Sequence, residues 1–364
     1  MQSKVGYSMN RDIRAAVEEA TGGISDPIGL IIMTDHDRLQ DISALLKKKY
    51  PHAQSIGVSG TNYYNAQSSD HNLIVTAFTG EAVVHAGVVR NLSTCPAMDI
   101  VNIKESMSIV NGSRDNTILL EYCTNDEERL TTTINMALGD SGIHLVGGTE
   151  LGYAATATAA VTVNGQLYPD ACAYMFIKNT NGKVKVYSEN IYGPMEGHPT
   201  HIVTKADLSQ KAVYEVDHKP IAEVYSQEMG VPVDKVIDNT LEHPFGRLVG
   251  DKVFIASQKD PLPNGGLTFY KRLNVNDSVS ILKLNDFDAI NKATREKILS
   301  EIPNPALLLS INCIYRYLLF TGNGYYNTLL SNMATLGPSV GNIGGGEQFD
   351  NQHVNQTMVV AVFE

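Results

Sequence analysis

Residues 27–33 read Pro-Ile-Gly-Leu-Ile-Ile-Met, a nearly continuous apolar run. Such a run is typical of a strand that is buried on both faces, as in parallel sheets that helices cover. Amphipathic helical spacing precedes it and also follows it over 37–50. Short apolar strands are predicted at 4–8 and 55–58. The first sixty residues therefore predict the order β-α-β-α-β and a partly parallel sheet.

The pattern changes after residue 70, where shorter strands alternate with tight turns. The Asn164-Gly165 pair is a strong signal for a β-hairpin, which requires antiparallel strands. The strands predicted here are 73–78, 82–89, 117–122, 154–163 and 171–177. We therefore expect a mixed α/β (α+β) fold, with mixed sheets flanked by helices.

A boundary between two domains is predicted at residues 191–199, Ile-Tyr-Gly-Pro-Met-Glu-Gly-His-Pro. This segment is rich in glycine and proline and has no periodicity. A chain of 364 residues is long enough for two domains. We predict one domain over 1–192 and a second over 193–364.

Composition excludes several classes of protein. The net charge is −11, and no basic cluster is dense enough to neutralise a phosphate backbone, so nucleic acid is not expected as a partner. The N-terminus lacks the apolar core of a signal peptide, and no apolar run of about 18 residues predicts a membrane span. The four cysteines show no C-x-x-C spacing, which argues against a disulfide framework. We expect a cytoplasmic protein with reduced thiols.

A glycine-rich stretch near the C-terminus is the first candidate binding edge. It reads Gly341-Asn342-Ile343-Gly344-Gly345-Gly346-Glu347-Gln348-Phe349, and Asn355-Gln356-Thr357 then precedes an apolar final strand. Consecutive glycines permit positive φ angles and the close approach of another group. Polar side chains directly beside them suggest a binding edge. The alternative is a hairpin turn that needed glycines.

Common phosphate-binding and catalytic motifs are absent from the sequence. There is no P-loop, no G-x-S-x-G elbow and no H-E-x-x-H. Gly322-Asn323-Gly324 begins like a dinucleotide fingerprint, but it lacks the third glycine and follows a predicted helix. The histidines lack the spacing of a metal site, so no metal is expected. A single histidine can still be an axial haem ligand.

Ser310, Cys313 and Arg316 form the second candidate. Ser310 is predicted at the end of a buried strand, Cys313 in the first turn of the next helix, and Arg316 one turn further. Ligands of α/β sheets bind at the carboxyl ends of strands, where helix N-termini attract anions. Arg316 can clamp a carboxylate there, or it forms a structural salt bridge, for example with Glu347. Cys313 can have a depressed pKa there, or it is a small buried hydrophobe.

Taken in order, these segments resemble the FIST-domain family (F-box and intracellular signal transduction proteins) over nearly the whole chain. The resemblance is to an N-terminal FIST module followed by a C-terminal one. The segments that carry it are 5–8, 56–61, 146–148, 164–165, 203–225, 243–246, Ser310-x-x-Cys313-x-x-Arg316, Gly346-Glu347 and Asn355-Gln356-Thr357.

The resemblance implies a sensory protein that binds a small molecule, an amino acid or a related carboxylate, in signal transduction. The two modules fill residues 1–364 without an output domain, so we expect a separate signalling protein as partner. Some family members resemble haem-binding nitric-oxide sensors, which makes haem the alternative to having no cofactor. An enzyme that uses Cys313 or Glu347, or a scaffold without a ligand, would also be compatible with these residues. The oligomeric state is left open.

Two locations for the ligand site follow. If Arg316 and Glu347 line one cavity, the site lies in the C-terminal module. If they pair with each other in packed core, we expect the site in the N-terminal module. The predicted ligand-binding residues are Ser310, Cys313, Arg316, Gly346, Glu347, Gln348, Asn355 and Thr357, with Ser8, Ser59 and Thr61 for the second location.

Overall fold

The core of the molecule consists of three six-stranded mixed sheets that repeat one topology. The computed structural model describes residues 1–151 and 157–364, so the strand predicted over 154–163 lies partly outside the described residues. Each repeat has the order β-α-β-α-β, then a β-hairpin, then a last strand. The predicted mixed α/β fold and its β-α-β-α-β opening are confirmed.

The first repeat occupies the N-terminal eighty residues. Asp12 and Asp35 cap its two helices by accepting a hydrogen bond from a backbone amide three residues on. Its elements are β1 (Gln2–Ser8), α1 (Ile13–Thr21), β2 (Gly29–Thr34), α2 (His36–Lys49), β3 (Gln54–Ser59), β4 (Asn62–Tyr64), β5 (Gln67–Ser69) and β6 (Leu73–Gly80).

The second repeat follows directly and has the same order of elements. Its first helix was not predicted from the sequence. The elements are β7 (Ala82–Arg90), α3 (Ile100–Val110), β8 (Thr117–Cys123), α4 (Glu127–Leu138), β9 (His144–Thr149), β10 (Ala160–Val163), β11 (Gln166–Pro169) and β12 (Ala171–Asn179).

The third repeat begins with β13 (Val184–Asn190) and is interrupted at once by an insertion, residues 192–284. The insertion forms its own antiparallel sheet with one helix. Residues 245–256 form a hairpin of two strands, because Gly250 turns the chain with a φ of +61°. The elements are β14 (Tyr192–Pro194), β15 (His201–Asp207), β16 (Ala212–Val216), β17 (Lys219–Pro220), α5 (Ile221–Met229), β18 (Phe245–Val249), β19 (Lys252–Ala256), β20 (Gln258–Pro261), β21 (Leu267–Phe269) and β22 (Ser278–Leu284).

The remainder of the third repeat returns to the shared order, with two helices in place of the second one. Its elements are α6 (Phe287–Glu301), β23 (Leu307–Cys313), α7 (Ile314–Gly322), α8 (Tyr326–Ala334), β24 (Ser339–Gly344), β25 (Glu347–Phe349), β26 (Gln352–Val354) and β27 (Thr357–Phe363).

The hairpin of each repeat leaves its own sheet and extends a neighbouring one. Sheet A has the order β1-β6-β2-β3-β10-β11, sheet B the order β7-β12-β8-β9-β25-β26, and sheet C the order β13-β27-β23-β24-β4-β5. In each sheet the central parallel pair comes from one repeat and the outer hairpin from another. The exchange joins the three repeats into one body.

The cores follow from this arrangement. One apolar cluster draws residues from the inner faces of all three sheets. Separate clusters lie between sheet A and its helices, between sheet B and its helices, and between sheet C and its helices, and a further one fills the insertion. Within the described residues, no helix combines the length and hydrophobicity needed to cross a lipid bilayer.

Candidate functional site

The glycine-rich stretch crosses from sheet C to sheet B at the carboxyl ends of their parallel strands. β23 and β24 end side by side, with Cys313 opposite Gly344. The Gly345 amide donates to the Thr149 carbonyl at 2.9 Å, and the Thr149 amide donates to the Gly346 carbonyl at 3.0 Å. A Cβ on Gly346 would lie 2.5 Å from a ring carbon of His353. Glycine is therefore required because two chain segments meet closely here.

Glu347 begins β25 and is completely buried. Its Oε2 accepts hydrogen bonds from the Thr357 amide at 3.2 Å and the Thr357 hydroxyl at 2.7 Å. Its Oε1 has no partner among the described residues. Burial raises the pKa of Glu347 to about 8, although the bonds from Thr357 and the charge of Arg316 offset part of this effect. The carboxyl group therefore keeps its proton over much of the neutral range.

Cys313 is the last residue of β23 and the N-cap of α7, and it is 2% exposed. Burial and the neighbouring Glu347 carboxylate raise the pKa of its thiol. Of the two alternatives for Cys313, the structure agrees with a small buried hydrophobe and not with a depressed pKa, because desolvation outweighs the helix dipole. A thiol that stays protonated is a weak nucleophile.

Arg316 lies in α7 and is completely buried. Its Nη2 forms an ion pair with Glu189 of β13, not with Glu347. Its Nε and Nη1 have no partner within the described part of the chain. The sequence leaves two arrangements open, in which Arg316 and Glu347 either line one cavity or pair with each other. Neither of them holds as stated. A role of Arg316 in binding a ligand carboxylate stays a prediction, with Glu189 as a competing partner.

A small cavity lies directly above Cys313, where the core meets the insertion. It is lined by Cys313, Gly345, Asn355, Ser257, Ile314, Tyr270 and Tyr315. The space open to the centre of a water molecule is about 10 Å³, which is roughly enough for one water. Tyr315 donates a hydrogen bond to the Tyr270 hydroxyl at 3.0 Å, and the two rings meet edge to face. This tyrosine pair joins α7 to the insertion beside the cavity.

A chain of buried polar side chains continues from the cavity through sheet B. The Gln348 side-chain amide lies 3.0 Å from Nδ1 of His353, and Nε2 of His353 lies 3.4 Å from the Asn355 amide nitrogen. The Asn355 side-chain oxygen accepts from the Ser257 amide at 3.4 Å. Burial lowers the pKa of His353, which favours the neutral ring.

The histidines of the chain are the candidate ligands for a haem. An axial ligand needs one ring nitrogen that faces a cavity and is free to bind iron. Within residues 1–151 and 157–364, the buried histidines are His353 and His201. Both ring nitrogens of His353 contact amides, and both of His201 contact the carboxylates of Asp217 and Glu228. Neither buried histidine fits a haem iron in this arrangement.

The remaining predicted residue of the C-terminal module, Ser310, does not reach the cavity. It lies within β23, three residues before Cys313, and is 3% exposed. Its hydroxyl is 2.8 Å from that of Tyr63, a residue of the hairpin that extends sheet C. We interpret Ser310 as a contact between the sheet and the exchanged hairpin.

The predicted residues of the N-terminal module lie in three separate places. Ser8 ends β1 and donates to Glu19 of α1. Ser59 ends β3 and donates to the buried Glu150. Thr61 borders a polar pocket of about 480 Å³ between the first hairpin and α7. The three residues do not form one site.

The structure thus brings together Cys313, Gly346, Glu347, Gln348, Asn355 and Thr357 but leaves the other predicted residues apart. Sequence reasoning missed Ser257, Tyr270 and Tyr315. Tyr315 stands between Cys313 and Arg316, so its position was a usable signal. Ser257 and Tyr270 belong to the insertion, more than forty residues before Cys313. No local pattern connects them with the cavity.

Comparison with known protein families gives two matches. The FIST N domain matches residues 28–219, and the FIST C domain matches residues 222–350. The matched ranges meet near residue 220, inside the insertion, while the predicted boundary at 192/193 stays a prediction. No curated protein sequence matches the chain. FIST domains are sensor domains of signal-transduction proteins. Since the two matches span most of its length, the chain belongs to the FIST family.

Proposed function

We propose that this protein is a cytoplasmic sensor that binds an amino acid or a related carboxylate in the cavity above Cys313. The signal would pass to a separate protein. The observation that carries the proposal is a group of buried polar atoms without partners on residues that lie close in sequence to Gly345 and Asn355, which line the cavity. Glu347 Oε1, Gln348 Oε1 and Gln356 Oε1 are buried without a partner within the described residues. Such atoms cost free energy unless a ligand or water meets them.

The charge of the site suits a ligand with both donors and acceptors. A carboxyl group with a pKa of about 8 can donate a hydrogen bond when it is protonated and can accept from an ammonium group when it is ionised. Amino acids carry both partners. This supports an amino acid more than an apolar ligand.

The size of the cavity implies that binding requires movement. A space of about 10 Å³ holds no amino acid, so the Tyr270–Tyr315 pair would have to separate. Tyr270 belongs to the insertion and Tyr315 to the core. Ligand binding would therefore shift the insertion relative to the three sheets, which is a means of passing a signal to a partner.

The two alternative functions receive less support. The contacts of His353 and His201 weigh against haem at the two buried histidines, whereas His85 and His52 line surface pockets. A purified protein without a Soret band after haem titration would dispose of haem at all of them. Burial of the Cys313 thiol weighs against nucleophilic catalysis, because the pKa of the thiol is raised. Binding of a small molecule is therefore the function that these contacts support best.

The test is a thermal-unfolding screen of free amino acids and small carboxylates. A ligand that binds only the folded protein raises Tm with its concentration. Gly345→Ala should weaken that effect, because the added methyl group reduces the cavity. The new Cβ would lie 3.5 Å from Thr149, an ordinary contact, so the variant should fold.

Gly322→Ala is the matched control, because no described atom lies within 4 Å of the added Cβ outside its own helix. This variant should respond to ligands as the parent protein does. A screen without a stabilising ligand would contradict the proposal, and so would a ligand whose effect is the same in Gly345→Ala.

A further inference from the structure

A further pocket, distinct from the cavity above Cys313 and from the pocket beside Thr61, opens on the surface where α4, β26 and the insertion meet. The space open to the centre of a water molecule is about 260 Å³. Its charged lining residues are Arg247, Lys271, Arg272 and Glu128. Three cations face one carboxylate, although the chain as a whole carries a net charge of −11. The pocket is therefore a positive site in a negative protein.

The carboxylate of Glu128 is already neutralised. Arg272 Nη1 lies 2.6 Å from Oε2 of Glu128, and the Arg272 backbone amide donates to the other oxygen. Glu128 also lies 3.7 Å from the ammonium group of Lys211. Arg247 has one distant counter-ion, Asp277 at 3.9 Å, whereas Lys271 has no carboxylate within 4 Å among the described residues. The ring of Phe254 lies 5.7 Å from both cationic groups.

Lys271 is 3% exposed, and its Nζ donates to the His353 carbonyl at 2.7 Å. No carboxylate lies within 4 Å of this Nζ in residues 1–151 and 157–364. Two of the three ammonium hydrogens therefore remain for another acceptor. A buried ammonium without a counter-ion is costly, which makes an anion from solution a favourable partner.

Arg247 supplies a second donor on the same pocket. Its Nη2 donates to the Gln352 side chain at 2.9 Å, and its Nη1 is 3.9 Å from Asp277. Its Nε is buried and has no partner in the described residues. The planar guanidinium group thus has one N–H without an acceptor, and a ligand would have to displace neighbouring side chains to reach it.

We propose that this pocket is an anion-binding site, in which Lys271 Nζ and Arg247 Nε hold the carboxylate or phosphate group of a small metabolite. The site is separate from the cavity above Cys313, because its lining residues are different. His353 and Asn355, which are in contact, lie in the walls of the two sites. The proposal does not depend on a ligand at Cys313.

Binding at this site should be coupled to proton uptake. Burial and the positive charge of Arg247 lower the pKa of Lys271 to about 7, while carboxylates act in the opposite direction. A bound anion adds a negative charge and should raise this pKa. The charged or titratable groups around Lys271 are Arg247, Asp277, Arg272, Glu128, Glu127, Lys211 and His353.

The experiment is isothermal titration calorimetry of the full chain at pH 8 with sulfate and, separately, with succinate. Sulfate represents a tetrahedral oxyanion and does not titrate at this pH, whereas succinate represents a carboxylate ligand. We expect binding of at least one of them, with uptake of up to about one proton, detected as a dependence of the heat on buffer ionisation enthalpy. The stronger binder identifies the class of ligand.

Lys271→Met should weaken this binding at least roughly thirtyfold and abolish the proton uptake, because it removes the ammonium group. Lys205→Met, on an exposed lysine far more accessible to water, is the matched control and should bind as the parent does. The proposal is overturned if neither anion binds at millimolar concentration or if Lys271→Met binds unchanged. Binding without proton uptake in the parent would also overturn it, and that measurement does not depend on the variant folding.

Discussion

Two buried glutamates at the strand ends of the core show how one topology can carry different chemistry. Glu150 follows β9 and lies beside the end of β3, where it accepts from Ser59 and from the Ala160 amide at 3.2 Å, with His36 3.4 Å away. Glu347 lies at the end of β23, where one oxygen accepts from Thr357 and the other has no partner among the described residues. The first carboxylate is satisfied on both oxygens, and the second is not.

The difference separates a structural position from a candidate binding position. A carboxylate with partners on both oxygens holds its neighbours in place and has little capacity for a ligand. A carboxylate with one free oxygen retains that capacity. The strand order of the repeats is the same at both places, so the distinction comes from the side chains and from the insertion that walls the cavity.

The largest expected effect comes from the ion pair that supports α7 beneath the cavity. Arg316→Met removes the charged partner of the buried Glu189, which keeps the Asn291 amide at 3.2 Å. Breaking a buried ion pair on one side costs about 3–5 kcal/mol. Urea unfolding should show a loss of this size in the free energy of unfolding.

The double variant Glu189→Leu/Arg316→Met is the control for this prediction. Both charges are then absent, and most of the stability should return, because an apolar pair can replace a buried ion pair. A double variant as unstable as the single one would show that the loss comes from packing. The ion pair would then not be what supports the cavity.

The next effect is the pH dependence of stability that Glu347 confers. Its pKa rises from 4.5 in the unfolded chain to about 8 in the folded protein. From pH 4.5 to 8 the unfolded chain releases this proton while the folded protein keeps it, so stability falls as pH rises. Glu347→Gln does not titrate, so its stability relative to the parent should increase between pH 5 and pH 8, by a few kcal/mol at most.

Chemical unfolding at pH 5, 6.5 and 8 measures this difference directly. Glu18→Gln, on an exposed side chain, controls for the loss of one negative charge. If the stability difference between Glu347→Gln and the parent is constant with pH, the carboxyl group is not held protonated. The hydrogen bonds from Thr357 and the charge of Arg316 would then outweigh the effect of burial on Glu347.

The sequence was sufficient to predict the parallel pair of the first repeat but not the threefold repeat. Apolar runs such as Gly29–Thr34 indicate a buried strand through their composition. The repeat, in contrast, leaves few common residues. Gly57, Gly147 and Gly341 occupy equivalent positions, each opposite a residue of an exchanged hairpin. Each is glycine because a Cβ would lie within 2.3 Å of a neighbouring atom.

The candidate site was predictable only where its residues are close in sequence. Cys313 and Arg316 were recognised through their spacing, and Glu347 through the glycines before it. Their contacts were not predictable, because Glu189 lies more than a hundred residues before Arg316. Which of the two alternatives for Cys313 applies could not be decided from the sequence for the same reason, since burial depends on distant segments.

A smaller loss of stability is expected when Glu150, the structural glutamate, loses one of its hydrogen-bond donors. Ser59→Ala removes a buried donor from Glu150 and leaves part of that carboxylate unsatisfied. The expected cost is about 1–3 kcal/mol in the free energy of unfolding. Ser300→Ala, on an exposed helix position, should change stability by less than about 0.5 kcal/mol. Equal effects of the two variants would mean that Glu150 is not held as tightly as its contacts indicate.

The smallest effect concerns the tyrosine pair beside the cavity of Cys313. Tyr315→Phe removes the hydroxyl that donates to Tyr270, at a cost of about 0.5–1.5 kcal/mol. Because the cavity should then open more often, Cys313 should react faster with iodoacetamide in the folded protein. Cys95 is exposed, so the rates are compared in a Cys95→Ser background by mass spectrometry.

The buried Cys123, behind sheet B, reports on global unfolding in the same sample. Faster labelling of Cys313 without faster labelling of Cys123 would identify the pair as the closure of this cavity. Parallel acceleration of both thiols would instead assign the effect to lower overall stability, and the proposed path for a ligand would have to be sought elsewhere.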